Sequence, residues 1–167
     1  GIKLTSKELS DAVYAIQKYM VEKTRLGIPL FVTAEAIHGA VQDFCTTYPQ
    51  AIAQGSTFNT ELIGRMTREI SKELKVMGVK QVLSPDLDLA RELRWGRVEE
   101  TFGEDPYLTS RMGVSFVKGF LENDVICTPK HFAAHGSPNG GLNLALVAGG
   151  ERELRSIYLK PFEAVFK

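Results

Sequence analysis

Apolar residues recur along this chain at two alternating periods. Thr5-Ser6-Lys7-Glu8 has the T-x-x-E form of a capping box, in which two side chains satisfy each other's backbone N–H groups. Leu9, Val13, Ile16 and Met20 follow three or four apart and predict one helix with a single apolar stripe. Gly27 ends it. Residues 28–34 then form an almost uninterrupted apolar run, the pattern of a parallel strand covered on both faces. Asn59 is a good N-cap for a second helix, with Leu62, Met66, Ile70 and Leu74 at every fourth position and Gly78 as its C′ residue. Residues 79–83 are the next apolar segment and run into the turn-forming Ser84-Pro85-Asp86. Asp105-Pro106 announces a third helix, Asp as cap and Pro at the first helical position, with Leu108, Met112, Phe116 and Phe120 inward. Residues 125–128 read as a third strand. A loop rich in Gly and Asn follows, and a last helix from about Glu151 turns Leu154, Tyr158, Phe162 and Val165 inward.

A helix followed by three strand–helix units predicts an α/β fold with a parallel sheet and helices outside it. Right-handed crossovers make the three strands parallel. The pattern fits both an open doubly wound sheet and an arc of a (β/α)₈ barrel. No dinucleotide fingerprint follows the first strand, which weakens the nucleotide-binding version. With no internal repeat, low-complexity stretch or linker, residues 1–167 are expected to be one domain.

Composition narrows the partners. At 44% hydrophobic and 24% charged, the chain is an ordinary globular one. Its 20 basic and 20 acidic residues give zero net charge, which offers no electrostatic footprint for nucleic acid or an anionic membrane. A neutral partner such as a sugar is compatible with that balance. No apolar run approaches the ~20 residues of a membrane span. Cys45 and Cys127 are too few for a disulfide framework and read as two small buried thiols, leaving the redox compartment open. The chain begins with Gly rather than Met, and we read it as an excised or processed segment, so its lack of a signal peptide leaves the localisation of the parent unknown.

In either architecture, ligands sit beyond the carboxyl ends of the strands. After the first strand come Glu35 and Ile37-His38-Gly39. After the second come Asp86, Asp88 and Arg94-Trp95-Gly96-Arg97. After the third come Lys130-His131-Phe132 and His135-Gly136. Carboxylates accept hydrogen bonds from sugar hydroxyls, Lys and Arg donate them, and each bond to a charged group contributes roughly 1.5–3 kcal/mol. Taken singly, each residue has a plainer account: a helix cap, a loop ion pair, a packed histidine, a core tryptophan. His131 and His135 would pair on a metal only on a helix. They run instead into Gly136 and Pro138, so no metal site and no cofactor are expected. The Gly-rich loop at 136–141 lacks the Gly-Lys-Ser/Thr ending of a phosphate loop.

Longer strings carry more. Residues 27–29 and Glu35-Ala36-Ile37-His38-Gly39, the string Arg94-Trp95-Gly96-Arg97-Val98-Glu99-Glu100-Thr101-Phe102-Gly103-Glu104-Asp105-Pro106, the string Lys130-His131-Phe132-Ala133 and the segment from Glu151 to Phe162 resemble, in order and spacing, glycoside hydrolase family 3 over nearly the whole chain. The resemblance implies the N-terminal part of a (β/α)₈ barrel and a parent enzyme that removes terminal β-linked sugars with retention. β-Glucosides are the expected substrates and β-xylosides the alternative. Carried over residue by residue, Glu35, Arg97, Lys130 and His131 are implied to bind the −1 sugar, His38 to shape its loop, and Trp95 to be structural. Two departures are visible. The family's nucleophile, an Asp in a Ser-Asp-Trp-like motif, is absent from these residues, so no catalytic residue is assigned and the chain alone is expected to be inactive. The loop 140–143, Gly-Gly-Leu-Asn, also lacks the Asp-x-His dyad of the subgroup acting on N-acetylglucosamine. Three strand–helix units would leave sheet edges open. The rest of the parent, or self-association, is expected to cover them. A truncated, non-catalytic protein that binds a sugar or a partner is the competing reading.

Overall fold

The computed structural model describes residues 4–167. Helix α1 spans Ser6–Lys23 and starts as the sequence predicts. Glu8 N donates to Thr5 Oγ1 at 3.3 Å, and Thr5 N donates to Glu8 Oε2 at 2.8 Å. Strand β1 covers only Thr33–Ala34 of the apolar run. A short helix α2, Ala51–Gly55, follows and was not anticipated. Helix α3 (Thr60–Val76) is capped by Asn59, whose Oδ1 accepts from Leu62 N at 3.0 Å, and Gly78 after it sits at φ +79°. Strand β2 is Gln81–Val82, and a single 3-10 turn at Val98–Glu100 precedes helix α4, Pro106–Leu121. Asp105 Oδ1 caps α4 by accepting from Leu108 N at 2.6 Å. Strand β3 is Ile126–Cys127. The last helix is interrupted: α5 (Glu151–Glu153) passes through a π-turn at Leu154–Tyr158 into α6, Lys160–Phe166. Pro161 has no N–H to donate into the preceding turn, which favours a break of this kind there.

The three strands are parallel in the order β1-β2-β3, with Thr33 beside Gln81 and Gln81 beside Ile126. Two right-handed crossovers in the same direction place α3 and α4 on one face, as in a barrel arc rather than a doubly wound sheet. The side chains alternate accordingly. Ala34, Val82 and Cys127 pack on the helical core, whereas Thr33 and Ile126 stand exposed on the opposite face.

The core lies between sheet and helices, built on Ile63, Ile70, Leu74, Val82, Leu87, Met112, Phe116, Phe120, Val125 and Phe162. α3 and α4 touch closely at Gly119: a Cβ there would lie 2.0 Å from Thr67 Oγ1 and 2.6 Å from the Gly64 carbonyl oxygen. The strands differ from the expectation of cover on both faces. Ile28, Leu30 and Phe31 are exposed, because three strands form an open arc and, among the described residues, none covers their second face. Helix α1 has no fully buried residue. Leu9 reaches the core, while Ile16 of the predicted stripe is exposed. Gln17 ties α1 to the extended segment, donating from Nε2 to Leu30 O at 2.6 Å and accepting from Leu30 N at 2.7 Å.

Candidate sugar-binding site

The parallel register brings the segments after all three strands to one end of the arc, and the pairing continues past the strands through a bridge between Asp86 and Lys130. Glu35 follows β1 directly. The Ile37-His38-Gly39 turn behind it is closed by Tyr48 N donating to His38 O at 2.8 Å. Gly39 sits at φ +120°, and a Cβ there would be 2.3 Å from Thr46 O, so only glycine fits this turn. Lys130 Nζ reaches across from β3 to Glu35, 3.2 Å from Oε1 and 3.1 Å from Oε2. The Lys130 side chain is 12% exposed and that of Glu35 is 52% exposed, so the ammonium is sheltered while the carboxylate faces outward.

Arg97 enters from the loop after β2. Its Nε and Nη2 donate to Glu100 Oε1 and Oε2 at 2.6 and 2.7 Å, a bidentate pair that fixes the guanidinium plane. Those hydrogen bonds hold the Glu100 carboxyl below its usual range and the Arg97 guanidinium above its own. Behind Arg97 lies Trp95, 2% exposed, with the guanidinium carbon 5.8 Å from its ring centroid and its Nε1 donating to Asn143 Oδ1 at 3.2 Å. Glu35, Arg97 and Lys130 together line a hollow of about 460 Å³, with His38, Glu99 and Glu100 on its walls.

His131 does not line this hollow; it stands beside Lys130, part-exposed, over two buried acids. Its Nδ1 is 2.7 Å from Asp88 Oδ2, and its backbone N donates to the same oxygen at 3.1 Å. Asp88 N in turn donates to Asp86 Oδ1 at 2.8 Å. Asp86 and Asp88 are 1% and 2% exposed. Burial first, and the charge of Asp88 second, push the Asp86 carboxyl well above the usual carboxylate range. The His135 ring meets His131 edge-on at 4.8 Å and Trp95 at 5.1 Å, and burial lowers the His135 imidazole below its ordinary value.

Asp86, Asp88 and His131 place one ligand atom each within 4.8 Å of one another. The 2.7 Å separation is that of a charge-assisted hydrogen bond between ring and carboxylate. The cluster is therefore described as a hydrogen-bonded layer beneath the hollow. Asp86 and Asp88 were visible in the sequence as acids beyond a strand, but their contact with His131 spans 43 residues and left no local signal. Glu100 lay inside the long motif without a role; its spacing of three from Arg97 within a turn was the available clue.

A polar hollow at the carboxyl ends of sequentially ordered parallel strands is the ligand-site arrangement of the α/β barrels. The chain belongs to glycoside hydrolase family 3: the model described as "Glycosyl hydrolase family 3 N terminal domain" matches residues 2–166. A protein from Formosa agariphila named β-xylosidase is 46% identical over 86% of this chain and 22% of its own length. A periplasmic β-glucosidase from Salmonella typhimurium is 33% identical over 95% of this chain and 20% of its own length. Among solved structures, a β-glucosidase from Erythrobacter marinus superposes with a TM-score of 0.94 at 33% identity, covering 99% of this chain and 23% of that one. A mutant β-glucosidase from Listeria innocua in complex with laminaribiose superposes at 0.87 and 34% identity, over 94% and 22% of the two chains. This chain thus spans less than a quarter of the length of these relatives.

Proposed function

We propose that residues 1–167 are the N-terminal part of the barrel of a retaining, exo-acting β-glycosidase and supply part of its −1 sugar pocket through Glu35, Arg97, Lys130 and His131. The observation that carries this reading is the meeting of Glu35, Arg97 and Lys130, from three different strand ends, on one hollow of about 460 Å³. Ligand pockets typically enclose about 300–1,000 Å³. A sugar ring presents hydroxyls that both donate and accept. The wall offers carboxylate oxygens on Glu35 and N–H donors on Lys130 and Arg97, and His131 stands beside this wall rather than on it.

The Lys130–Glu35 pair holds each side chain in place before a sugar arrives, with the Glu35 carboxylate still open to solvent. The attacking carboxylate and the acid are assigned to residues outside these 167. Retention needs two carboxyls about 5–5.5 Å apart across the scissile bond. Of the carboxyls at the hollow, Glu100 is held below its usual range by its hydrogen bonds to Arg97, which disfavours a role as proton donor.

A β-glucoside is the proposed substrate. A β-xyloside is the second reading, favoured by the 46% identical relative that bears the name β-xylosidase. The protein expressed from its whole gene is expected to hydrolyse 4-nitrophenyl β-D-glucoside, or the xyloside if that reading holds. Lys130→Met is expected to lower kcat/KM by about ten- to a hundredfold, the worth of a charge-assisted hydrogen bond. Hydrolysis of neither glycoside, or a Lys130→Met variant as active as its parent, contradicts the reading.

A further inference from the structure

We propose that Asp88 is a positioning residue for the sugar site: it holds His131 with the proton on Nδ1 and so leaves the Nε2 lone pair free to accept from a sugar hydroxyl, while Asp86 below it carries the proton shared by the two buried acids. The use of Nε2 rests on the sugar-pocket reading above; the tautomer and its cause do not.

The geometry is specific. One oxygen, Asp88 Oδ2, accepts from both the ring Nδ1–H and the backbone N–H of His131, at 2.7 and 3.1 Å. Two donors from one residue meeting on one oxygen fix the ring about its χ angles as well as its tautomer. A free imidazole chooses its tautomer by whatever hydrogen bond its other nitrogen makes, and here a carboxylate makes the choice. The second ring nitrogen, Nε2, has no hydrogen-bond partner among the described residues.

The acids beneath have a matching pattern. Asp86 Oδ2 and Asp88 Oδ1 are both buried without a hydrogen-bond partner, although each belongs to a carboxyl whose other oxygen is engaged. Two adjacent buried carboxyls cannot both ionise at low cost, so one of them keeps a proton. Asp86 is the one to hold it: its Oδ2 is 3.9 Å from His131 Nδ1, too far to accept from it, whereas Asp88 is already committed as the acceptor. Around them stand Glu100, which adds negative charge, and Arg97, which offsets it. His131 is thus steered by a single negative charge, on Asp88. The same proton is what keeps the layer from repelling the carboxylates of the hollow above it.

Ring-¹⁵N histidine NMR of the protein expressed from its whole gene tests this without any sugar, with His131 assigned by the signal lost in His131→Gln. The expected result is a His131 ring with its proton on Nδ1 and a bare Nε2, the less common tautomer of free histidine. Asp88→Ala should move the proton to Nε2, and Asp88→Asn should retain it at Nδ1, because its amide oxygen still accepts. Glucose titration of the same samples should show about tenfold weaker binding in Asp88→Ala and substantial rescue in Asp88→Asn. A proton on Nε2 in the parent, alone or in a ring protonated on both nitrogens, overturns the proposal, and that measurement stands even if Asp88→Ala does not fold. An Asp88→Ala variant with unchanged tautomer and unchanged affinity overturns it as well. If the parent shows Nδ1–H but no site responds to glucose, the sugar-pocket reading fails while the role of Asp88 in setting the tautomer stands.

Discussion

At Asp86 an ionisable group sits where ionisation is costly, since burial and then the charge of Asp88 raise its carboxyl well above the usual range. Between its ordinary value near pH 4 and that raised value, the folded chain keeps a proton that the unfolded chain has lost. Stability is therefore fully present below about pH 4 and falls as pH rises through the window, by up to about 1.4 kcal/mol per pH unit. Asp86→Asn removes the group and retains an amide of the same shape, facing Asp88, Glu100, His131 and Arg97. The melting temperature of Asp86→Asn minus that of the parent should grow steadily from about pH 4 upward; an offset that does not change with pH contradicts this. Single residues were legible where a strand end and a motif coincided, as at Glu35, Arg97 and Lys130. What was not legible is who holds whom. Asp88 reaches His131 across 43 residues, and Lys130 reaches Glu35 across 95. No spacing rule encodes such contacts, which exist only once the strands are in register.

Local chemistry marked the helix starts: the capping box at Thr5, the cap at Asn59 and the Asp105-Pro106 pair all start helices in the structure. Strand extents and breaks were less legible. The apolar run at 28–34 yields a ladder of two residues, because the segment pairs on one side only and most of it has no neighbour to bond. Helix α2 has five residues, too short for a periodic stripe, and the π-turn at Leu154–Tyr158 keeps Tyr158 buried while Leu154 is exposed. Close helix approach gives a test with an unambiguous sign. A Gly→Ala change inside a helix normally stabilises by roughly 1 kcal/mol. At Gly119 the added methyl would meet Thr67 Oγ1 and the Gly64 carbonyl. Gly119→Ala should instead destabilise by about 1–3 kcal/mol, read from the denaturant midpoint. A stabilised variant would show that α3 and α4 pack less tightly than described.

The whole molecule is an arc with one finished face. Helices cover the outer side, while Ile28, Leu30 and Phe31 on the inner and edge side are exposed, as are Tyr14, Ile16 and Tyr19 on α1. Open strand edges flanked by apolar side chains pair readily with other chains. This 167-residue chain on its own is expected to sediment as oligomers or aggregate, and a stable monomer with a single cooperative melt contradicts that expectation. Glu35, Arg97 and Lys130 line the hollow at the open end of this arc. The most direct test of the account is a crystal structure of the protein expressed from its whole gene, soaked with glucose. The expected result is one ring seated at the carboxyl ends of β1, β2 and β3, with hydroxyls within hydrogen-bond distance of Glu35, Arg97, Lys130 and His131. A ring bound at saturating glucose that touches none of these four side chains would contradict it.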